Sequence, residues 1–456
     1  MKLRTIILGL ALGASLGCQK EFLEKKPSSA ILAPNTLADL NGLLERSSMF
    51  NLTGALAQIS ADEYEVVTDA DFNSLPSVTE RSAYIWAKDI LEGETLKDWE
   101  VPFTQIFTSN SVIEVLQRNS FKDQRAAALV MGWAAFNRAF AYFDLAKNFC
   151  KVYDPTTATT DLGLPIRLQP AIDEVVQRAT LQKTFDQIFK DLDIAAANLS
   201  PQVQPQNRNR PSVAAVHALR SRIYLYQGNY GQAEHYADSA LLLHNVIADY
   251  NTISQTSATP FGYHAAEVIF QANQIVIYGN LSAYGNMPRI RVIPSIYQSF
   301  KPDDLRRKIF FVENNLKNFN LKRGYTGGGY PFTGLATDEV YLIKSECLAR
   351  RGQTTEAMEK LNSLLLKRFV TGKFIPYTAT ATSQALAIVL EERKKELLWR
   401  GIRWSDLKRL NRDGANITLV RQINGSTYSL PPNDPRWVFP IPDQEIILSG
   451  IQQNIR

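Results

Sequence analysis

Between residues 212 and 245 the chain carries two apolar stripes separated by a short polar break. The first stripe consists of Val216, Leu219, Ile223 and Tyr226, and the second of Ala233, Tyr236, Ala237, Ala240 and Leu241. Residues that recur at steps of three and four lie on one face of a helix. Because Gly228 and Asn229 interrupt the spacing, this stretch predicts two antiparallel helices that pack closely.

The same design recurs between residues 337 and 369. Its stripes consist of Val340, Ile343, Cys347 and Leu348, then Ala357, Leu361, Leu364 and Leu365, with Gly352 at the break. In both pairs the glycine stands five residues before the first alanine of the return stripe, Ala233 or Ala357. This spacing is tetratricopeptide-like, and in such repeats each helix pair buries its apolar face against the next pair.

Further stripes at residues 127–146, 185–199 and 386–398 extend this scaffold. Residues 62–99 and 251–334 lack sustained helical spacing, although 267–270 and 275–278 have the character of short strands. Loops of this length inside a compact domain are usually functional. We therefore predict a mainly α protein. Its tetratricopeptide-like helix pairs form a scaffold (about 100–250 and 336–410), with long irregular ligand-side insertions (about 62–99 and 251–334) and a few short strands.

The amino-terminal residues predict export and lipidation. Met-Lys-Leu-Arg precedes a weakly polar run from Thr5 to Gly17, and Cys18 follows directly. This order is typical of a lipoprotein signal peptide, here 1–17, in which the cysteine is acylated after cleavage. An ordinary signal peptide with an incidental cysteine is the alternative. The run is too short to remain as a membrane-spanning helix, so we expect residues 18–456 to form one domain that is anchored rather than spanning.

Composition narrows the possible functional class of the protein. The 456 residues are 45% hydrophobic and 21% charged, with a net charge of +5 that is dispersed along the chain. Without a basic block interleaved with aromatics, nucleic-acid binding has little support. Cys150 and Cys347 lie on apolar faces of predicted helices, which favours two buried thiols and leaves a disulfide as the alternative.

Motifs for catalysis, metals and cofactors are not found. The four histidines have no ligand-like spacing to cysteines or carboxylates, so neither a metal nor a cofactor is expected. Beyond the predicted signal peptide, Gly-x-Ser-x-Gly and His-Glu-x-x-His are both missing, and the glycine-rich 325–330 lacks the Lys-Ser/Thr of a phosphate loop. These observations favour a protein that is not an enzyme.

Nine short motifs in a fixed order resemble one family. They are Phe-Leu-Glu-Lys-Lys-Pro at 22–27, the early helix 99–110, the helix 132–143, Gly-Leu-Pro at 163–165, and the segments 338–346, 391–397, 401–409, 439–442 and 452–454. Together they cover essentially the whole mature chain and resemble the SusD/RagB family of outer-membrane nutrient-binding lipoproteins. Most of these motifs belong to the scaffold. Glu396, Arg400, Arg403 and Asp406 are predicted to form charge-assisted hydrogen bonds between a helix end and the following turn. Trp404 is predicted to lie in the core, and 439–442 to pack as an extended strap.

The resemblance implies a role in nutrient capture at the cell surface. Such proteins are held in the outer membrane by a lipid anchor, bind an oligo- or polysaccharide, and deliver it to a SusC-like TonB-dependent transporter. The alternatives are a peptide-binding protein like RagB, a surface glycoside hydrolase, or a scaffold that only recruits protein partners. The helix pairs are expected to contact the transporter and the insertions to contact the ligand.

The insertions supply the candidate binding residues. They are Tyr84, Trp86, Tyr278, Asn280, Tyr284, Arg289, Tyr325 and Tyr330. Aromatic rings would supply flat contact area, while Asn280 and Arg289 would orient polar groups of the ligand. Arg289 and Arg291, with Lys322 and Arg323, also hint at an acidic ligand or a peptide carboxylate.

Overall fold

A computed structural model describes residues 34–171 and 173–456 of the chain. The predicted signal peptide, Cys18 and the motif at 22–27 lie outside the described residues. The helices are α1 (Leu37–Leu44), α2 (Leu56–Ser60), α3 (Asp69–Asn73), α4 (Val78–Tyr84), α5 (Lys97–Arg118), α6 (Gln124–Phe149), α7 (Leu181–Asn198), α8 (Val213–Gln227), α9 (Tyr230–Leu243), α10 (Pro294–Ser299), α11 (Arg306–Ile309), α12 (Thr337–Arg350), α13 (Thr354–Leu365), α14 (Thr382–Glu396), α15 (Arg403–Arg412) and α16 (Asp443–Ser449).

The strands are short and form two-stranded sheets. They are β1 (Leu52–Thr53), β2 (Tyr64–Val66), β3 (Leu162–Pro165), β4 (Arg178–Thr180), β5 (Val268–Phe270), β6 (Asn273–Gln274), β7 (Ile290–Val292), β8 (Phe311–Glu313), β9 (Phe319–Leu321), β10 (Leu335–Ala336), β11 (Leu419–Ile423) and β12 (Ser426–Leu430). β1 pairs in parallel with β6, and the antiparallel pairs are β2–β7, β3–β4, β5–β10, β8–β9 and β11–β12. Two of these pairs, β1–β6 and β2–β7, join the early part of the chain to the long insertion.

The helix pairs form as predicted from the apolar stripes. The two helices of each pair, α8–α9 and α12–α13, pack against each other. α9 also packs against α12, so the first pair contacts the second. Gly228 adopts the left-handed conformation (φ 80°) that ends α8, a conformation that costs glycine little. Their shared apolar core, with α6 and α7 alongside, confirms the mainly α fold class with a tetratricopeptide-like scaffold.

The insertions are more ordered than their sequences suggest. Residues 62–99 contain β2 and the short helices α3 and α4, and residues 251–334 contain β5 to β9 with α10 and α11. The strand predicted at 267–270 is confirmed as β5, whereas the one predicted at 275–278 is wrong because the paired residues are Asn273 and Gln274. The hairpin β11–β12 was not anticipated. Elements this short have too few residues to establish a hydrophobic period.

A fully buried arginine joins the insertion to the scaffold. The guanidinium of Arg306 contacts the carboxylates of Asp304 at 2.7 Å, Glu392 at 2.7 Å and Glu396 at 2.9 Å, and all four side chains are at most 2% exposed. Three charge-assisted contacts offset the cost of removing the arginine from water. Their geometry fixes α11 against the end of α14.

Glu396 extends this network to a second buried arginine. Its other carboxylate oxygen accepts from Arg368 at 2.7 Å, and Arg368 also pairs with Glu267 at 2.8 Å. Arg400 pairs with Asp338 at 3.0 Å close by. The prediction that Glu396 and Arg400 serve the fold through charge-assisted hydrogen bonds is therefore confirmed, although their partners lie far away in the chain rather than in the next turn.

Arg403 and Asp406 are placed similarly. Arg403 forms a two-point contact with Asp62 at 2.6 and 2.8 Å. Asp406 accepts from Arg393 at 2.9 Å and from Arg409 at 2.8 Å. Trp404, which is 1% exposed, lies in the core as predicted, stacked on Phe439 of the extended strap.

Both predicted buried thiols are found. Cys150 and Cys347 are free and buried, so the disulfide alternative is wrong. Both thiols belong to the main core, and burial raises the pKa of Cys150 to about 11. They behave as small hydrophobic residues rather than as reactive groups.

A buried carboxyl at the start of α5 makes the fold sensitive to pH. Asp98 is 1% exposed and accepts the backbone N–H groups of Ala55, at 2.5 Å, and Leu56, at 2.8 Å. Burial, reinforced by the nearby charge of Asp144, raises the pKa of Asp98 to about 7. The folded state therefore holds a proton on Asp98 up to about pH 7, whereas the unfolded chain releases this proton near pH 3.8, the ordinary pKa of the group.

We expect Asp98→Asn to stabilise the protein selectively at high pH. The folded pKa is raised, so the contribution of Asp98 to the free energy of unfolding is greatest below about pH 4 and is lost as the pH rises towards 7. Asparagine keeps the acceptor oxygen and cannot ionise. Urea unfolding should give the variant an advantage of at least about 1 kcal/mol at pH 8 and little difference at pH 4.

The control for this prediction is Glu100→Gln on the same helix, where the carboxylate is 40% exposed. Its stability relative to the parent should not change between the two pH values. A loss of stability in Asp98→Asn at both pH values would contradict the assignment of a protonated carboxyl.

Candidate ligand site

Four of the predicted binding residues come together on one surface. Tyr278, Asn280, Arg289 and Tyr330 are all partly exposed, and a fifth residue, Glu80 of α4, lies beneath them. We call these five residues the Asn280 cluster. It joins the early insertion to the long one, because Glu80 comes from the first and the other four come from the second.

Asn280 is the centre of the hydrogen bonding. Its backbone N–H donates to one carboxylate oxygen of Glu80 at 3.2 Å, and its amide Nδ2 donates to the other at 3.1 Å. Its amide oxygen accepts from Arg289 at 3.1 Å. Glu80 is 1% exposed, and burial raises its pKa. The amide is thus held in one orientation from both ends.

Arg289 is held at two of its five donors. Nε donates to the hydroxyl of Ser74 at 3.2 Å, and Nη1 donates to Asn280. Its carbonyl accepts from Val67 at 2.9 Å, which continues the pairing of β2 with β7. The guanidinium therefore projects from a backbone that is fixed by a sheet, while its remaining N–H groups are left for other acceptors.

The two tyrosines of the cluster are held differently. Burial raises the pKa of the Tyr278 hydroxyl, and the nearby carboxylates of Asp98 and Glu94 act in the same direction. The side chain of Tyr278 is partly exposed and packs against the main core. The hydroxyl of Tyr330 lies 3.1 Å from where a side chain on Gly279 would begin. Glycine at this position allows the close approach.

Tyr84 and Trp86 lie in the interior. Each is 2% exposed. The Tyr84 hydroxyl accepts from Val66 at 2.9 Å, and the Trp86 indole donates to the carbonyl of Ser60 at 3.0 Å. The guanidinium of Arg421 covers both rings, at 3.7 Å from the first centroid and 4.5 Å from the second. Neither ring forms part of an open stacking surface.

Tyr284 and Tyr325 are also enclosed. Tyr284 is 9% exposed, and its hydroxyl donates to the carbonyl of Trp399 at 3.3 Å. Tyr325 is 4% exposed, and its hydroxyl donates to the buried carboxylate of Glu267. Tyr325 thereby joins the charged network through Glu267, while Tyr284 holds the long insertion to the backbone that follows α14.

Sequence reasoning missed Glu80, Ser74 and Arg421. Glu80 and Ser74 stand in a polar stretch of ordinary appearance, and Arg421 stands on an unanticipated hairpin. The one signal that was available is the position of Glu80 in the first turn of a short helix behind a capping serine, Ser77. That signal places a helix and gives no indication of its partner.

A cavity elsewhere in the described part of the chain shares no lining residue with the Asn280 cluster. It measures about 790 Å³ and lies between the loop after α6, the helix α15 and the carboxyl-terminal residues. Its buried cation, Lys408, donates to the carbonyls of Lys147 and Cys150 at 2.8 Å each. Burial lowers the pKa of Lys408 to about 7. Because those carbonyls lie at the end of α6, Lys408 acts as a helix cap.

Neither a metal-ligand cluster nor a membrane-spanning helix is present among the described residues. No group of three or more histidine, cysteine or acidic side chains within 34–171 and 173–456 is arranged to hold a metal ion. Across the same residues, no helix combines the length and the apolar character required to cross a membrane.

The fold and the surface together define a class of protein: a scaffold of helix pairs whose long insertions carry rings beside fixed polar groups. Comparison with known families agrees. A family model described as "Starch-binding associating with outer membrane", SusD-like, matches residues 21–225, and the SusD family model matches residues 317–455. The chain belongs to the SusD family.

Individual relatives are distant in sequence and close in fold. The SusD-like protein P38 of Formosa agariphila is 22% identical over 392 residues, which are 72% of this chain and 74% of that protein. A SusD superfamily protein of Bacteroides thetaiotaomicron superposes with a TM-score of 0.72 at 21% identity, covering 92% of this chain and 100% of that one. The surface glycan-binding protein A of Bacteroides fluxus gives 0.70 at 18% identity, covering 92% and 99%.

Proposed function

We propose that this protein binds a glycan at the Asn280 cluster and delivers it to a SusC-like TonB-dependent transporter in the outer membrane. In this proposal Cys18 carries the lipid that holds the protein at the cell surface. Family membership supports the general role, and the name of the Bacteroides fluxus relative states glycan binding for that protein.

The observation that carries the proposal is the arrangement of the cluster itself. Two partly exposed tyrosines, Tyr278 and Tyr330, lie beside an amide and a guanidinium whose directions are fixed by Glu80 and Ser74. Sugar rings present apolar faces that pack on aromatic rings, and their hydroxyl groups require donors and acceptors at fixed positions. A surface that is ordered before binding loses less entropy when a ligand binds.

The cluster is better suited to binding than to hydrolysis. Glycoside hydrolysis in most families requires two carboxyl groups that face the bond to be cleaved. Of the five residues in the cluster, Glu80 alone is acidic, and both of its oxygens are hydrogen-bonded to Asn280. We therefore expect the bound glycan to remain intact.

A single substitution at Tyr330 tests the location of the site. Tyr330→Ala removes one exposed ring and should weaken binding of a recognised glycan by about tenfold, the effect of roughly 1.4 kcal/mol. Isothermal titration calorimetry on the soluble chain from residue 19 measures this change. Tyr263→Ala is the matched control, because Tyr263 is 43% exposed and lies outside the cluster. Equal losses in the two variants would contradict the assignment.

Delivery and capture should be separable. If the insertions bind the glycan and the helix pairs contact the transporter, Tyr330→Ala should still co-purify with the transporter from outer membranes in the parental amount. A parallel loss of glycan binding and co-purification would mean that the two surfaces are not distinct.

A further inference from the structure

One cation in the Asn280 cluster has no acidic partner. Among the described residues, no carboxylate lies within ion-pair distance of Arg289, whose protein partners are the neutral groups of Ser74 and Asn280. Arg291, two residues along the same strand, pairs with Glu65 at 2.7 Å and also contacts Asn318. The two arginines therefore differ in whether the protein itself satisfies their charge.

The hydrogen bonds of Arg289 also leave a defined face open. Its single Nε–H is used by Ser74, and one N–H of Nη1 is used by Asn280. Three N–H groups, on Nη1 and Nη2, have no acceptor among the described residues. N–H groups at the end of a guanidinium can donate hydrogen bonds to two oxygens of one anion.

Glu80, the acidic residue of the cluster, does not compete for this face. Its two oxygens accept from Asn280, and burial raises its pKa. Asn280 thus stands between the carboxyl group and the guanidinium, donating to the first and accepting from the second. The arrangement orients Arg289 without neutralising it.

We propose that the glycan bound by this protein carries an anionic group, a uronic acid carboxylate or a sulfate ester, and that Arg289 binds that group directly. This inference rests on the proposed function. A planar guanidinium suits both anions, because each presents two oxygens at the spacing of Nη1 and Nη2. Tyr278 and Tyr330 would pack on the sugar ring that carries the charge.

Pairs of oligosaccharides that differ only in charge test the inference. Suitable pairs are oligogalacturonate with its methyl ester, and sulfated with desulfated oligosaccharides from algal and host sources, each titrated into the soluble chain. We expect the charged member of a pair to bind at least about tenfold more tightly, as for a two-point charge-assisted contact. The pair that responds identifies the anion as carboxylate or sulfate.

Two variants complete the test. Arg289→Gln should abolish the preference, so that the charged and neutral members bind with affinities within about twofold of each other, while Arg289→Lys should retain only part of the preference. Arg291→Gln, the matched control, should keep the full preference. Equal binding of charged and neutral members by the parent overturns this inference alone, whereas binding of no oligosaccharide contradicts the proposed function itself.

Discussion

Replacing Arg306 with leucine is expected to lower the free energy of unfolding by about 3–5 kcal/mol, since it leaves a set of buried carboxylates without their cation. Three carboxylates converge on Arg306 at 2.7 to 2.9 Å, and none of the side chains is more than 2% exposed. Leucine fills part of the volume but cannot donate a hydrogen bond. Urea unfolding followed by tryptophan fluorescence measures the change.

Arg351→Leu is the control for this result. Arg351 contacts Glu234 at 2.8 Å, but its side chain is 51% exposed. An exposed pair of this kind is worth less than about 1 kcal/mol, because water screens it and the side chains lose freedom when they pair. Similar losses in the two variants would mean that burial does not set the strength of the Arg306 network.

Removing both exposed rings of the Asn280 cluster is expected to abolish high-affinity glycan binding. Tyr278→Ala combined with Tyr330→Ala should weaken binding by about 100-fold or more, as is common when two contact residues of a binding site are lost. Both side chains are partly exposed, and that of Tyr278 also packs against the main core. Circular dichroism verifies that the double variant remains folded.

The two single variants and the double variant form a cycle. Because both rings are expected to contact one ligand, the loss of binding free energy in the double variant should differ from the sum of the losses in the two single variants. Strict additivity, or an unchanged affinity in a folded double variant, would contradict a shared stacking surface at this position.

Local patterns were sufficient to predict the scaffold. The stripes that begin at Val216 and Val340 each specify a helix by themselves, and the glycines at 228 and 352 separate the members of each pair. A helix period is set by residues three and four apart, so one sequence contains the whole signal. The prediction that Trp404 lies in the core is also confirmed.

The candidate surface depended on distant contacts that no local pattern contains. Tyr84 and Tyr278 look alike in sequence, yet the first is covered by Arg421 while the second is partly exposed. Glu80 and Asn280 are 200 residues apart, and their hydrogen bonds depend on how the two insertions meet. Sequence reasoning could name the insertions and the residue types, and it could not separate rings at the surface from rings in the core.

Tyr325 shows that the sequence also could not identify a ring that is buried. Tyr325 stands beside a glycine-rich turn, which favours a mobile loop residue, but its hydroxyl bonds to Glu267 within the charged network. The carboxylate that holds it comes from the segment that continues into β5, which cannot be inferred from either sequence stretch alone.

The structure of the soluble chain in complex with the tightest-binding oligosaccharide tests the central claim most directly. We predict that a sugar ring packs within about 4 Å of the rings of Tyr278 and Tyr330, the usual separation of contacting carbon atoms, and that Asn280 or Arg289 contacts its polar groups. A ligand in the 790 Å³ cavity beside Lys408, with the Asn280 cluster free of sugar, would contradict it.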